Sequence, residues 1–319
     1  MGPVSNRSET AAPPVSLRWG LGLVLLTAVV SGVSTFVNLY AVPGIDSAAF
    51  VTVRNGAVAL VLIPVAAVAA FGATRHRLSS NDWLGLVTIG ILGGGIPFLL
   101  FFYGLELATA AGAGVTASFL YRTLFLIAAV LGVLVLKERF RWRVALAAAL
   151  LLGGNLLLLS FTTPIWANGD AYVFAATVLW AGEYTLSKHF LRHLPSSTVA
   201  LGRMGFGAIF LVGYLAATAQ FGAVGAFTPA QWLWVAISGG LLTAFVAIWY
   251  AGLQRVDLSV ATAVLVLGFP ITWLLTVVFT GAPFTLLEVV GAVTIAVGAA
   301  VVMEGGSLRA VWARVRPTT

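Results

Sequence analysis

Long runs of apolar residues, each of about 20, alternate along the chain with short polar or charged interruptions. Each run is long enough to cross a ~30 Å hydrocarbon core as a helix. The pattern predicts helices over 17–40, 47–71, 83–103, 108–136 and 142–161 in the first half, and over 170–191, 197–219, 230–252, 258–280 and 284–303 in the second. They are numbered spans one to ten. A membrane β-barrel would show ~10-residue segments of alternating polarity instead. The connections are too short to hold a soluble catalytic or nucleotide-binding domain.

Composition turns this pattern into a class. Of 319 residues, 60% are hydrophobic and 8% charged, with a mean hydropathy of +1.04; soluble domains carry roughly 25% charged residues. The chain is an all-α integral membrane protein. Cysteine is absent, which removes disulfides, thiolate metal sites and cysteine nucleophiles. A Walker-type phosphate loop is absent too, so an ATP-driven pump in one chain is excluded. Neither a metal nor a cofactor is expected.

The net charge of +7 reads as a topology signal rather than a nucleic-acid surface. Arg7, Arg18, Arg75, Arg77, Lys137, Arg139, Arg141, Arg143, Lys188, Arg192, Arg255, Arg309, Arg314 and Arg316 all fall at one face, together with both termini. The opposite loops carry only Asp46, Glu106 and Asp170. The basic face is expected to be cytoplasmic. Residues 1–16, with Pro3, Pro13 and Pro14, are expected to form a disordered cytoplasmic tail, and 304–319 a basic one.

The two halves, 17–161 and 162–303, repeat each other in order. Thr27-Ala-Val-Val-Ser-Gly matches Thr177-Val-Leu-Trp-Ala-Gly, Arg54 matches Arg203, and Ile91-Leu-Gly-Gly matches Ile237-Ser-Gly-Gly. Gly104-Leu105 matches Gly252-Leu253, and Phe140 and Gly154 match Phe284 and Gly298 at equal spacing. Five spans per repeat is odd, so the second copy is inverted relative to the first. Inverted repeats are the architecture of secondary transporters, with the substrate site near the midplane.

Two times five spans, the Lys137-Glu138-Arg139 turn and the paired arginines resemble the drug/metabolite transporter superfamily, in its ten-helix EamA-type branch. The resemblance covers about residues 18 to 303. Within that branch the chain looks most like YddG-type exporters of aromatic amino acids. The family's Gly-Glu before the last helix of each half appears as Lys137-Glu138 and as Gly281-Ala282-Pro283, so the second copy lacks the acid. The resemblance implies export of small metabolites across the bacterial inner membrane.

Three arginines lie inside spans, where a charge costs several kcal/mol unless paired. Arg122, about 14 residues into span four, cannot reach either interface, and Glu183 on span six lies at similar depth. Two readings stay open: a static ion pair, or a site in which Arg122 takes a substrate carboxylate while Glu183 meets an amino group or a proton. Arg54 and Arg203, nearer their span ends, are expected to be structural, capping carbonyls or snorkelling. Thr27, Ser31, Ser34 and Asn38 form one polar face of span one, either lining a cavity or packing helices. Phe98, Tyr121, Trp180, Tyr184, Trp249 and Phe269, with Phe101, Phe102 and Phe245, are the aromatic candidates for a binding pocket. Gly94 and Pro97 on span three, and Gly268 and Pro270 on span nine, are hinge candidates. Spans five and ten, rich in Ala, Gly and Val, are expected to be peripheral.

The function expected is alternating-access export of amino acids or related small metabolites. The alternative is multidrug or organic-cation efflux, with Glu183 and the aromatics holding a cation. A membrane-embedded enzyme would need a nucleophile with a base, paired aspartates or a metal cluster, and no Asp, His or Cys lies deep in a span. Besides the lipid bilayer and a small-molecule substrate, protons and a homodimer partner are the open possibilities.

Overall fold

The computed structural model describes residues 17–41, 44–71, 78–110, 119–139, 142–159 and 169–315. The expected tail 1–16, Arg75, Arg77, Phe140, Arg141 and Arg316 fall outside them. Among the described residues every regular element is helical and no strand occurs, so the chain is an all-α protein built for a bilayer.

Span one is Leu17–Ala41 and span two Ser47–Phe71. Span three runs through Ser80–Ile89, a π-helical segment Gly90–Gly95 and Ile96–Ala110. Span four is Phe119–Leu134, interrupted at Thr123, and span five is Trp142–Leu158. Asp170–Phe190 and Ser196–Ala217 are spans six and seven. After a short helix at Phe221–Gly225 comes span eight, Pro229–Leu253. Span nine is split into Leu258–Leu265 and Gly268–Thr280, and span ten, Leu286–Val315, continues well past its expected end at 303.

Seven of the described helices are long and apolar enough to cross a membrane. Spans four and five are shorter there, and span six is more polar because it carries Asp170, Glu183 and Lys188. The starts of spans three, seven and eight fall earlier than hydropathy alone places them, and two of these carry capping boxes. Ser79 and Asp82 form a capping box at span three, and Thr228 and Gln231 form one at span eight with Pro229 behind the cap. Each box satisfies helix N–H groups that would otherwise enter the membrane unpaired.

Packing follows the repeat. Span one lies on span eight and span three on span six, while two packs on seven, four on nine, and five on ten. Exchanging the halves maps this set of pairs onto itself. Spans five and ten lean mainly on each other, and a Cβ on Gly154 or on Gly291 would meet the other's carbonyl oxygen at 2.7 Å. With no hydrophobic drive between helices in lipid, such small-residue approaches are what hold them.

Spans three and seven touch as closely: a Cβ on Gly207 would sit 2.6 Å from the Cα of Gly94. Gly207→Leu is therefore expected to cost about 1–3 kcal/mol through overpacking, read as a lower melting temperature in detergent. Gly153→Leu, at a position with nothing within 4 Å, should leave it unchanged.

Candidate functional site

The site is built around the π-helical turn of span three. Pro97 has no N–H to offer the carbonyl four residues back, at Gly93, and the Ile96 N–H bonds to Ile91 instead. The Gly93 and Gly94 carbonyls become acceptors for side chains. The Gly93 oxygen accepts from Trp180 Nε1 at 3.0 Å and from Arg203 Nη2 at 3.1 Å. Asn55 Nδ2 donates to the Gly94 oxygen at 3.0 Å. A π-bulge inside a membrane helix is tolerated because its neighbours satisfy the freed groups.

Arg203 is the hub. It is 2% exposed and donates to the Tyr250 hydroxyl at 3.4 Å. Its Nη1 lies 3.7 Å from Glu183 Oε2. Glu183, fully buried, also accepts from the Tyr250 hydroxyl at 2.6 Å and from Ser187 Oγ at 2.5 Å. The absence of a side chain at Gly93 makes room for this carboxylate, since a Cβ there would come within 2.5 Å of Glu183 Cγ. Spans three, six, seven and eight thus meet in one ionic and hydrogen-bonded cluster.

This arrangement corrects the expected pairing of Arg122 with Glu183. Matching depth in two parallel spans fixes height but not direction, and Glu183 points toward spans three and seven. The snorkelling expected of Arg54 and Arg203 is corrected as well, because both are buried at 2% exposure. Arg54 donates to Asn55 Oδ1 from Nε at 3.2 Å and from Nη2 at 3.1 Å. Its guanidinium lies 5.0–5.2 Å from the ring centres of Phe50, Phe98 and Phe102, a desolvated cation–π cage.

Arg122 stands apart. It is 6% exposed, immediately precedes the break in span four at Thr123, and makes no hydrogen bond or ion pair with any described residue. Its guanidinium lies 4.9 Å from the Phe269 ring and 5.8 Å from that of Tyr121. Cation–π contact leaves the N–H groups of a guanidinium without acceptors, and Nε is an orphan donor in the interior. An unpaired cation at this depth costs several kcal/mol.

The aromatic candidates form two ring chains. Tyr121 packs against Phe101 and Trp180 at 5.3 and 5.4 Å, and Trp180 against Phe98 at 5.2 Å. Tyr184 lies 4.7 Å from Trp249, which stacks on Phe245 at 6.2 Å. Arg203 sits over both Phe98 and Tyr184 and joins the chains. Trp249 Nε1 is a further orphan donor.

Other candidates fall elsewhere. The Asn38 amide oxygen is taken by Ser238 Oγ at 2.8 Å, a contact between spans one and eight. Ser34 is half-buried on the same helix. Gly94 lies in the π-helical turn and Pro97 two residues beyond it, in the α-helix that follows. Gly268 and Pro270 open the second half of span nine, after a break at Val266 and Leu267, where Pro270 needs no N–H partner. A Cβ on Gly32 would sit 2.7 Å from the Gly268 carbonyl oxygen. Asn55, Ser187, Ser238 and Tyr250 were not anticipated, although Asn55 sits beside an intramembrane arginine that needed an acceptor.

The breaks repeat between halves. Thr123 and Leu267 are 144 residues apart, as are Phe140 and Phe284. Lys137 and Gly281, at the same offset, both take left-handed φ angles, 59° and 66°.

The described residues contain no cluster of three metal-ligating side chains. Removing Arg203 would leave Glu183 buried with no cation. Arg203→Ala is expected to lose about 3–5 kcal/mol of stability, with Arg203→Ala/Glu183→Gln partly restored. Arg122→Ala, which breaks no pair and removes an uncompensated cation, should keep or raise its melting temperature.

The EamA-like transporter family matches residues 18–160 and again 167–304. A solved structure described only as the crystal structure of a protein superimposes with a TM-score of 0.71 at 20% identity, covering 90% of this chain and 98% of the other; it shows the fold. Curated proteins give no match.

Proposed function

Because the chain belongs to the EamA-like transporter family and so is a multi-pass membrane transporter of the drug/metabolite superfamily, we propose that it exports small carboxylate-bearing metabolites by alternating access, with amino acids bearing aromatic or apolar side chains foremost. We place it in the bacterial inner membrane with both termini cytoplasmic, as its basic loops indicate, and read it as similar to the YddG-type exporters. The observation that carries the reading is Arg122: a buried guanidinium at a break in a span, flanked by aromatic faces and lacking an acceptor among the described residues. A carboxylate supplies the missing acceptor bidentately. The rings of Tyr121, Trp180 and Phe269 are the apolar wall for the side chain, and Trp249 Nε1 is an available donor.

Glu183 has a different part in this reading. Its carboxylate is held by Arg203, Tyr250 and Ser187, which speaks against multidrug cation efflux, because a cation would need that carboxylate released. The interrupted spans four and nine are the elements proposed to bend, the turns beside Gly268 and Thr123 absorbing the change.

Reconstitution in proteoliposomes tests this. Labelled phenylalanine and threonine should cross, and Arg122→Ala should lower their flux about 100-fold or more, in line with loss of a buried charge-assisted pair, while folding is retained. A quaternary-ammonium drug crossing alone, indifferent to Arg122, would move the assignment to cation efflux. An imposed pH gradient separates proton exchange, seen as gradient-driven accumulation, from facilitated diffusion.

A further inference from the structure

The turn after span four carries a carboxylate that the central site does not use. Glu138 lies among Lys137, Arg139, Lys188 and Arg192, yet its carboxylate's hydrogen bonds go to the first two residues of span nine. Oε1 accepts the Leu258 N–H at 2.5 Å, while Oε2 accepts the Ser259 N–H at 3.2 Å and the Ser259 hydroxyl at 2.7 Å. These are the first N–H groups of span nine, whose own N-cap residue, Asp257, makes no side-chain cap bond. The first half of the chain therefore caps a helix of the second, and the carboxylate also meets the positive end of that helix dipole.

The contact is part of a wider closure. Lys188 Nζ donates to the Leu253 and Val256 carbonyls at 2.6 and 2.7 Å. Gln254 Nε2 donates to the Leu191 and Leu194 carbonyls at 3.2 and 3.3 Å, and Arg192 Nη2 to that of Leu136 at 3.3 Å. The ends of spans four, six, eight and nine are tied together at this one face. A cleft of about 360 Å³, lined by Lys137, Arg139, Arg192 and Asp257 among others, lies beside Glu138, so water can replace the bonds when the helices part.

The repeat makes the closure one-sided. At the 144-residue offset that aligns Lys137 with Gly281, Glu138 corresponds to Ala282, whose methyl group accepts nothing. We propose that Glu138 is a positioning residue that latches the face where spans four, six, eight and nine converge, and that Ala282 leaves the opposite face without that latch, biasing the resting transporter toward opening there. This rests on the alternating-access reading. The energy stored in a cap of this kind is enough to shift a two-state population several-fold.

The absence of cysteine supplies the test. Thr262, 1% exposed on the first half of span nine, is replaced by cysteine, and its labelling by an impermeant maleimide is measured from the Lys137 side in oriented vesicles without substrate. Glu138→Ala should raise the labelling rate about fivefold or more. Glu138→Gln, which keeps one acceptor oxygen but no charge, should fall between, and Ala282→Glu added to Glu138→Ala should raise it further. Unchanged labelling in Glu138→Ala at an unchanged melting temperature overturns the latch. If Glu138→Ala does not fold, Glu138→Gln and Ser259→Ala carry the same test, and unchanged labelling in both overturns it. Since no substrate is present, raised labelling in a protein without flux would retain the latch while removing the transport reading.

Discussion

A guanidinium inside hydrocarbon has no water to fall back on, and the centre of this protein is arranged to supply what water would have supplied. The means is a defect in a helix. By running through a π-helical turn ahead of Pro97, span three presents the Gly93 and Gly94 carbonyls sideways. Side chains from spans two, six and seven converge on them. Without those freed acceptors Arg203 would keep a single carboxylate and a hydroxyl, and the interior of the bundle would lose its common anchor.

Three intramembrane arginines are handled in three ways. Arg203 has a carboxylate, a hydroxyl and a main-chain carbonyl. Arg54 has one amide and three aromatic faces, a weaker set that suits a cation kept permanently dry. Among the described residues, Arg122 has aromatic faces alone. Under the transport reading proposed above, that graded satisfaction separates scaffold from site more sharply than depth does, because all three are almost equally buried.

Hydropathy and charge placed the spans, and internal repetition showed two halves inverted relative to each other. The starts at Ser80 and Pro229 lie three residues and one residue ahead of the expected ones because capping boxes act through hydrogen bonds, which hydropathy does not register. Arg122, Trp180 and Tyr184 were legible as candidates since intramembrane polarity is costly wherever it occurs. The partner of Glu183 was not. Depth along a helix follows from counting, whereas azimuth depends on which glycine opens space opposite, and here Gly93 decided it. The reach of Glu138 across 120 residues was equally invisible, since a cap donated from another repeat leaves no local spacing.

The turns at Lys137 and Gly281 are the same backbone feature in two copies, but one carries a cation and the other no side chain. Left-handed geometry favours glycine, so a lysine there accepts roughly 1–2 kcal/mol of strain. In return, the charge sits where the chain leaves the bilayer. No Lys or Arg occurs between Arg255 and Arg309, so the corresponding turn of the later copy offers the insertion machinery nothing to retain. Duplicated halves that fold alike thus differ in charge at the equivalent turn, and under the orientation proposed above that difference is part of the signal by which the copies enter the membrane in opposite senses.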